Sequence, residues 1–315
     1  MSAITENRFR GCLLGLAVGD ALGGRFEAQT AAHIRERFPT VERLIDSGSD
    51  ELWYTDDTQM AIGIAETLAN HSSIIEEHLC EAFVANYVPS RGDGRGARTI
   101  LEAMEDGRDY RAVANGNFPG GSYGNGAAMR VAPVGLFFRD KLSAVHEQAR
   151  LSALPTHVHP LGIEGAQILA LAVAMASQME AFDRVTFFRE LTARCSSPEF
   201  SEKMDRASSV TSADELQLLG NGIEALESVP TSIACFSLSP NSYELTIGNA
   251  ILLGGDTDTI AAMAGAISGA YNGQDAIPEN LLRRLEKSPK GRNYIGDLAD
   301  RLFTAYMDAR RWRQI

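Results

Sequence analysis

Two short segments hold carboxylates and hydroxyls in a pattern that suits a divalent cation. Tyr54-Thr55-Asp56-Asp57-Thr58-Gln59-Met60 opens one apolar run, and Gly254-Gly255-Asp256-Thr257-Asp258-Thr259 opens another at Ile260. One Asp or Thr in such a place meets the needs of a helix N-terminus, where a side-chain oxygen satisfies a free N–H and an acid suits the dipole. Four carboxylates exceed that need. Brought together, they would repel one another unless a cation neutralised them. Oxygen-only donors select hard ions, so Mg²⁺, Mn²⁺ or Ca²⁺ is expected. Zinc is disfavoured because no Cys/His set accompanies the acids. A carboxylate shared between two ions would permit a binuclear site.

A third segment carries different chemistry. Phe118-Pro-Gly-Gly-Ser-Tyr-Gly-Asn-Gly126 has glycines at 120, 121, 124 and 126. Glycine lets backbone N–H groups turn toward a ligand, and a following helix N-terminus would favour phosphate. Ser122 and Asn125 add hydrogen-bonding side chains, and Phe118 and Tyr123 could stack on a base. The segment matches neither the P-loop nor the dinucleotide fingerprint. Gly, Asn and Ser also dominate ordinary turns. Its weight comes from the pairing: a metal site beside a pyrophosphate cradle implies a nucleotide-diphosphate ligand.

Thr156-His157-Val158-His159-Pro160 bears two histidines two apart. On a strand they could share a metal; on a helix they would diverge. A polar loop at a helix start is the better reading, with His157 donating to a phosphate and His159 structural.

The elements that must position these groups read as helices. Met60, Ile64 and Leu68 fall four apart, and Ile163, Ala166, Ile168, Leu171 and Met175 share one long stretch. Ile260, Met263, Ile267 and Tyr271 make another apolar stripe, ended by Asn272-Gly273. These runs exceed an average strand and lack β-branched alternation. Gly11, Gly15, Gly19 and Gly23 lie along one face of an apolar stretch, where a neighbouring helix could approach closely. That stretch contains Asp20 and is too short to span a bilayer. The expected fold is therefore all-α, one compact multi-helix domain over residues 1–315. The candidate chemistry sits in its Gly-rich or polar breaks.

Bulk properties narrow the function. The 315 residues carry a formal net charge of −12, which disfavours duplex nucleic acid and anionic membranes as partners. The four cysteines, Cys12, Cys80, Cys195 and Cys235, form no C-x-x-C pair and read as reduced thiols. No basic segment followed by an apolar run and a cleavage site opens the chain, so a cytoplasmic location is expected; a monomer is taken as the default.

Taken in order, the motifs resemble the ADP-ribosylglycohydrolase family. The resemblance rests on Gly11 to Gly23, Thr55-Asp-Asp-Thr58, Gly121-Ser-Tyr-Gly-Asn-Gly126, Thr156-His157 and Gly254-Gly-Asp-Thr-Asp-Thr259. Phe26-Glu27 and the stretch from Leu219 to Thr231 bring it nearer to the branch acting on O-linked ADP-ribose than to the arginine-directed branches. It implies an all-α domain with two Mg²⁺ in a cleft, Mn²⁺ serving as a substitute. Thr55, Asp56 and Asp57 would hold one ion, Asp256 and Thr259 the other, and Asp258 would bridge. Glu27 matches a mobile acidic flap and becomes the candidate for proton handling, assisted by Asp56 or Asp57. Gly121, Ser122, Tyr123, Gly124, Asn125 and His157 match diphosphate and ribose contacts, and Phe118 an adenine-stacking ring. Asp20 is expected to be a supporting acid. The implied substrates are ADP-ribosylated proteins or small molecules: ADP-ribosyl-serine, O-acetyl-ADP-ribose and poly(ADP-ribose). ADP-ribosyl-arginine hydrolysis, attack on the diphosphate and non-catalytic ADP-ribose binding are the alternatives. Arg25 departs from the family's flap, and the chain is shorter between the histidine segment and the second acidic cluster, which bears on the acceptor.

Overall fold

The glycine stripe near the start of the chain fixes the centre of the molecule. In the computed structural model, which describes residues 2–312, Ser2–Gly23 forms a helix, α1. It lies antiparallel to a second helix from Thr257 to Asn272, α15. A Cβ on Gly11 would stand 2.4 Å from Gly269 O, on Gly15 2.6 Å from Gly265 O, and on Gly19 2.2 Å from Ala261 O. No real side chain tolerates such distances, so only glycine permits this approach. Four-residue spacing on both helices sets the register. That register carries the C-terminal end of α1 to the N-terminal end of α15, where the second acidic cluster begins.

Fifteen further α-helices surround this pair among the described residues. In chain order they are α2 (Ala31–Arg37), α3 (Val41–Ile45), α4 (Asp56–His71), α5 (Glu76–Asn86), α6 (Arg95–Glu105), α7 (Tyr110–Asn117), α8 (Ala132–Phe137) and α9 (Leu142–Ala153). Then come α10 (Pro160–Ala176), α11 (Arg184–Thr192), α12 (Pro198–Ser209), α13 (Ala225–Leu238) and α14 (Tyr243–Leu252), and beyond α15 follow α16 (Glu279–Arg284) and α17 (Arg292–Trp312). The expected stripes bury as read. Met60, Ile64 and Leu68 enter the core from α4, Ala166, Ile168, Leu171 and Met175 from α10, and Ile260, Met263 and Ile267 from α15. One continuous apolar core joins them, as an all-α domain requires. Each Leu, Ile or Met so buried contributes about 1.5–3 kcal/mol relative to exposure.

No strand forms among the described residues, but three isolated β-bridges do: Thr30 with Gly254, Leu52 with Leu285, and Gly124 with Glu224. Each ties a loop that carries candidate chemistry to a distant part of the chain. No helix among the described residues is long and apolar enough to cross a membrane. The expected domain bounds of 1–315 include Met1 and positions 313–315, outside the described residues.

Candidate active site

Thr55 is the N-cap residue of α4, yet its side chain makes no capping bond. Its hydroxyl lies between Asp20 Oδ1 (2.8 Å) and Asp57 Oδ2 (3.2 Å). The cap comes from another helix. Asp20, buried in α1, accepts from Thr55 N at 2.9 Å, Thr58 N at 3.0 Å and Thr58 Oγ1 at 2.5 Å. The first turn of α4 is therefore satisfied by a carboxylate outside the cluster. Asp56 and Asp57 are released from capping. Asp57 is fully buried, and its Oδ1 has no hydrogen-bond partner. A buried, unpartnered carboxylate oxygen is costly unless a ligand meets it.

The second cluster is held mainly by backbone. Gly254 and Gly255 have φ of +68° and +76°, and a Cβ on Gly255 would fall 2.3 Å from Asn221 O. Asn221 donates from Nδ2 to Leu253 O (2.9 Å) and Gly254 O (3.0 Å), and its own carbonyl accepts from Asp256 N (2.9 Å). Asn125 Nδ2 donates to Asp256 Oδ2 at 2.5 Å and to Ser228 Oγ at 3.1 Å, joining the glycine-rich loop to this cluster. The Glu27 segment is pinned alongside: Ala28 N donates to Gly255 O and Gly255 N to Gln29 O, each at 2.9 Å. Ala28 adopts φ +61°, a conformation that costs a non-glycine residue energy and is held by those bonds.

The two clusters meet. Carboxylate oxygens of Glu27, Asp256 and Asp258 all lie within 4.8 Å of one another. Thr259 Oγ1 stands 3.5 Å from Asp57 Oδ2. Together with Thr55 and Asp56 these groups line one end of a cavity of about 370 Å³. Burial first, and then the neighbouring carboxylates, push Asp56 and Asp57 well above the usual carboxylate range. Asp20 is raised to about 7 and Asp256 to about 8, again chiefly by burial. Glu27, more exposed, is raised first by the charge of Asp258 and then by burial. An all-oxygen donor set, the unpartnered Asp57 Oδ1 and this mutual repulsion fit a hard divalent cation.

Ser122, Gly124, Asn125, His157 and Phe118 line the same cavity, Asn125 in direct contact with Asp256. Phe118 caps α7, and its ring lies over Gly96, where a Cβ would come within 2.3 Å of Cε2. His159 is structural as expected: it caps α10, its Nδ1 accepting from Leu161 N at 3.2 Å.

One expectation needs correction, and two residues of the loop sit off the cavity wall. The glycine-rich loop leads into a single 3₁₀ turn, Asn125–Ala127, so it offers no long-helix dipole to a phosphate. Gly121 does not line the cavity; with φ +92° it packs on the Val158–His159 backbone. Tyr123 is also off the cavity wall, half-exposed and edge-on to His159 at 5.7 Å, while its carbonyl accepts from Ala225 N.

The sequence reading missed a clamp behind the first cluster. Glu286, fully buried, pairs with Arg91 at 2.5 and 2.8 Å and accepts from Tyr54 N at 3.2 Å. Arg91 also donates to Tyr54 O at 2.7 Å, its guanidinium 3.8 Å from the centre of the Tyr54 ring. Gly92, Gly94 and Gly96 follow it along the cavity wall. Their alternate spacing was the only local signal of that wall. Glu286 had none, because its partners lie far away in sequence, and Asn221 stood in the Leu219 to Thr231 stretch without its role being legible.

The family model for ADP-ribosylglycohydrolase matches residues 1–311. ADP-ribosylhydrolase ARH3 of Homo sapiens is 37% identical over 90% of this chain and 91% of its own length. The ARH3 of Xenopus tropicalis is 38% identical over 89% and 91%. A solved structure titled ADP-ribosylglycohydrolase-related protein complex superposes with a TM-score of 0.72 at 25% identity, covering 96% of this chain and 99% of that one. A match of this extent, on a fold whose central helix pair delivers both acidic clusters to one cavity, places the chain in the ADP-ribosylglycohydrolase family, and it is a hydrolase.

Proposed function

We propose that the chain is a Mg²⁺-dependent hydrolase that releases ADP-ribose from O-linked acceptors: ADP-ribosyl-serine, O-acetyl-ADP-ribose and poly(ADP-ribose). The observation that carries this reading is one cavity lined both by the oxygen ligands and by the glycine-rich loop and Phe118. Similarity to proteins named ADP-ribosylhydrolase ARH3 supports the O-linked branch. The reading is of a cytoplasmic monomer that takes ADP-ribosylated proteins or small molecules and binds neither duplex nucleic acid nor membrane.

Thr55, Asp56 and Asp57 would hold one Mg²⁺, Asp256 and Thr259 a second, with Asp258 shared; Mn²⁺ suits the same donors. When bound, such ions supply Lewis acidity and neutralise the acids around them. The remaining work falls to the chain. Phe118 stacks the adenine, and Ser122, Gly124, Asn125 and His157 hold the diphosphate. Gly121 and Tyr123, on the same loop, complete the contacts to the diphosphate and its ribose. The ribose is thereby brought to the acids with its anomeric carbon beside Glu27. Cleavage of the glycosidic bond passes through an oxocarbenium-like state, and the leaving oxygen needs a proton. Glu27 is placed for that transfer, because its carboxylate stands on the cavity wall within 4.8 Å of those of Asp256 and Asp258. Asp56 or Asp57 would then assist in orienting the incoming water.

Mass spectrometry of products tests this reading. With serine-linked and arginine-linked ADP-ribosyl peptides, intact ADP-ribose is expected from the serine peptide with Mg²⁺ and not with EDTA. Release from the arginine peptide alone would overturn the acceptor assignment, and AMP as product would make the diphosphate the point of attack. Glu27→Gln should keep the fold and lose roughly 100-fold or more in turnover, the usual scale of acid–base assistance. Near-normal turnover would remove Glu27 from the proton transfer.

A further inference from the structure

His157 lines the cavity, is buried, and reaches back rather than forward with one ring nitrogen. Its Nδ1 lies 2.7 Å from Thr156 Oγ1. That hydroxyl already accepts from Arg130 Nη2 at 2.8 Å, and Arg130 Nη2 also donates to Ser152 O at 3.1 Å. A guanidinium only donates. Thr156 Oγ1 is therefore an acceptor toward Arg130, and its one proton is free for a different acceptor. His157 Nδ1 is the acceptor within its reach. With Nδ1 accepting, the ring proton of a neutral imidazole resides on Nε2.

Nε2 faces the glycine-rich loop. A Cβ on Gly126 would stand 3.3 Å from it and one on Gly124 3.9 Å, so the two glycines leave that side of the ring open. Arg130 is itself fully buried, over the Phe83 ring at 4.8 Å, with Nη1 against Met60 Sδ. Burial lowers it to about 10, so it is still a cation at neutral pH. Burial first, and then that nearby charge, lower His157 to about 3, which keeps the ring neutral.

We propose that Arg130 and Thr156 are positioning residues that lock His157 as a neutral Nε2–H donor, aimed at an anionic diphosphate oxygen seated against the glycine-rich loop. The proposal rests on the function proposed above only for the identity of that anion; the locked ring is a property of the protein alone. A neutral donor with a fixed proton binds by direction. It tells an acceptor oxygen from a donor group at the same point, whereas a mobile tautomer would serve either.

The test reads the ring first and the ligand second. Protein labelled with ¹⁵N-histidine, with His157 assigned by difference from H157Q, should show a protonated Nε2 and an unprotonated Nδ1 at neutral pH. Thr156→Val removes the hydroxyl at nearly constant shape. It should shift the ring toward the other tautomer and raise the calorimetric Kd for ADP-ribose about tenfold, the cost of one hydrogen bond. Thr156→Ser keeps the hydroxyl and should restore both. A wild-type ring protonated on Nδ1, or doubly protonated, would overturn the proposal. So would a Thr156→Val protein with wild-type ring and wild-type Kd. If the wild-type ring is as expected but ADP-ribose does not bind, the nucleotide reading fails. Inorganic pyrophosphate then decides, and equal affinity of wild-type and Thr156→Val protein for it would refute the donor role.

Discussion

The two acidic clusters do one job with opposite kinds of support. Thr55 to Asp57 are held by side chains: Asp20 replaces the missing cap of α4, and the Arg91–Glu286 pair clamps Tyr54 just before it. Asp256 to Thr259 are held by backbone: close contact of α1 with α15, left-handed glycines at 254 and 255, and Asn221 beneath them. Side-chain support depends on single residues. Backbone support is spread over many contacts and is set by the register of a helix pair. The first cluster should therefore be sensitive to one polar substitution, and the second to one methyl group in the wrong place.

The strongest break of this comparison is Gly19→Ala. It puts a methyl 2.2 Å from a backbone oxygen of α15, which has no flexible end to yield. A loss of about 3 kcal/mol in unfolding free energy is expected from overpacking of this kind. Denaturant titration measures it, and a change below about 0.5 kcal/mol, the scale of an ordinary surface substitution, would mean that the register is set elsewhere.

Next come paired substitutions that should separate the clusters. Asp20→Asn removes the charge that organises the first turn of α4, and activity or cation affinity should fall about 100-fold. Asn221→Ala removes one of several backbone supports and should cost about tenfold, at the lower end of the same range. Equal losses would show that the two modes of support are not distinct.

A further effect is in pH. In the unfolded chain Asp20 and Asp256 titrate at the ordinary 3.8; folded, they titrate at about 7 and about 8. The folded protein thus keeps protons that the unfolded chain has released. Below about pH 4 both states are protonated and folding bears no cost from these groups. The contribution of these two groups to stability then falls as pH rises toward about 8 and levels off above it. Thermal melts in EDTA should show Tm declining across that window, and saturating Mg²⁺ should flatten the decline, because the ion takes the proton's place. A Tm that rises with pH in EDTA would contradict the sign.

What the sequence made legible follows the same division. Glycines four apart on a helical face announced a close helix contact, but the partner face of Gly265 and Gly269 could not be matched to it, since pairing across some 250 residues leaves no local trace. Asp20 was readable as a supporting acid because it interrupts an apolar stripe. Its exact duty, capping a helix that starts 36 residues later, is a tertiary fact. The acids were conspicuous because four carboxylates at two helix starts exceed what capping needs. Gly121 and Tyr123 show that a glycine-rich loop has two sides, which its sequence does not tell apart. Here one side faces the cavity and the other packs on the Val158–His159 segment. Arg91 and Glu286 stayed hidden, and the role of Asn221 with them, because ordinary surface-type residues became buried or partly buried linchpins only through distant partners.

The central claim is that two segments 200 residues apart share one cation site. Isothermal titration of the metal-free protein with Mg²⁺ tests it most directly, in the wild type and in Asp57→Asn and Asp256→Asn. The account predicts two ions per wild-type chain, with either substitution weakening the binding of both ions, since each removes a donor from a common carboxylate cage. Two independent sites, each lost with one substitution and untouched by the other, would contradict it.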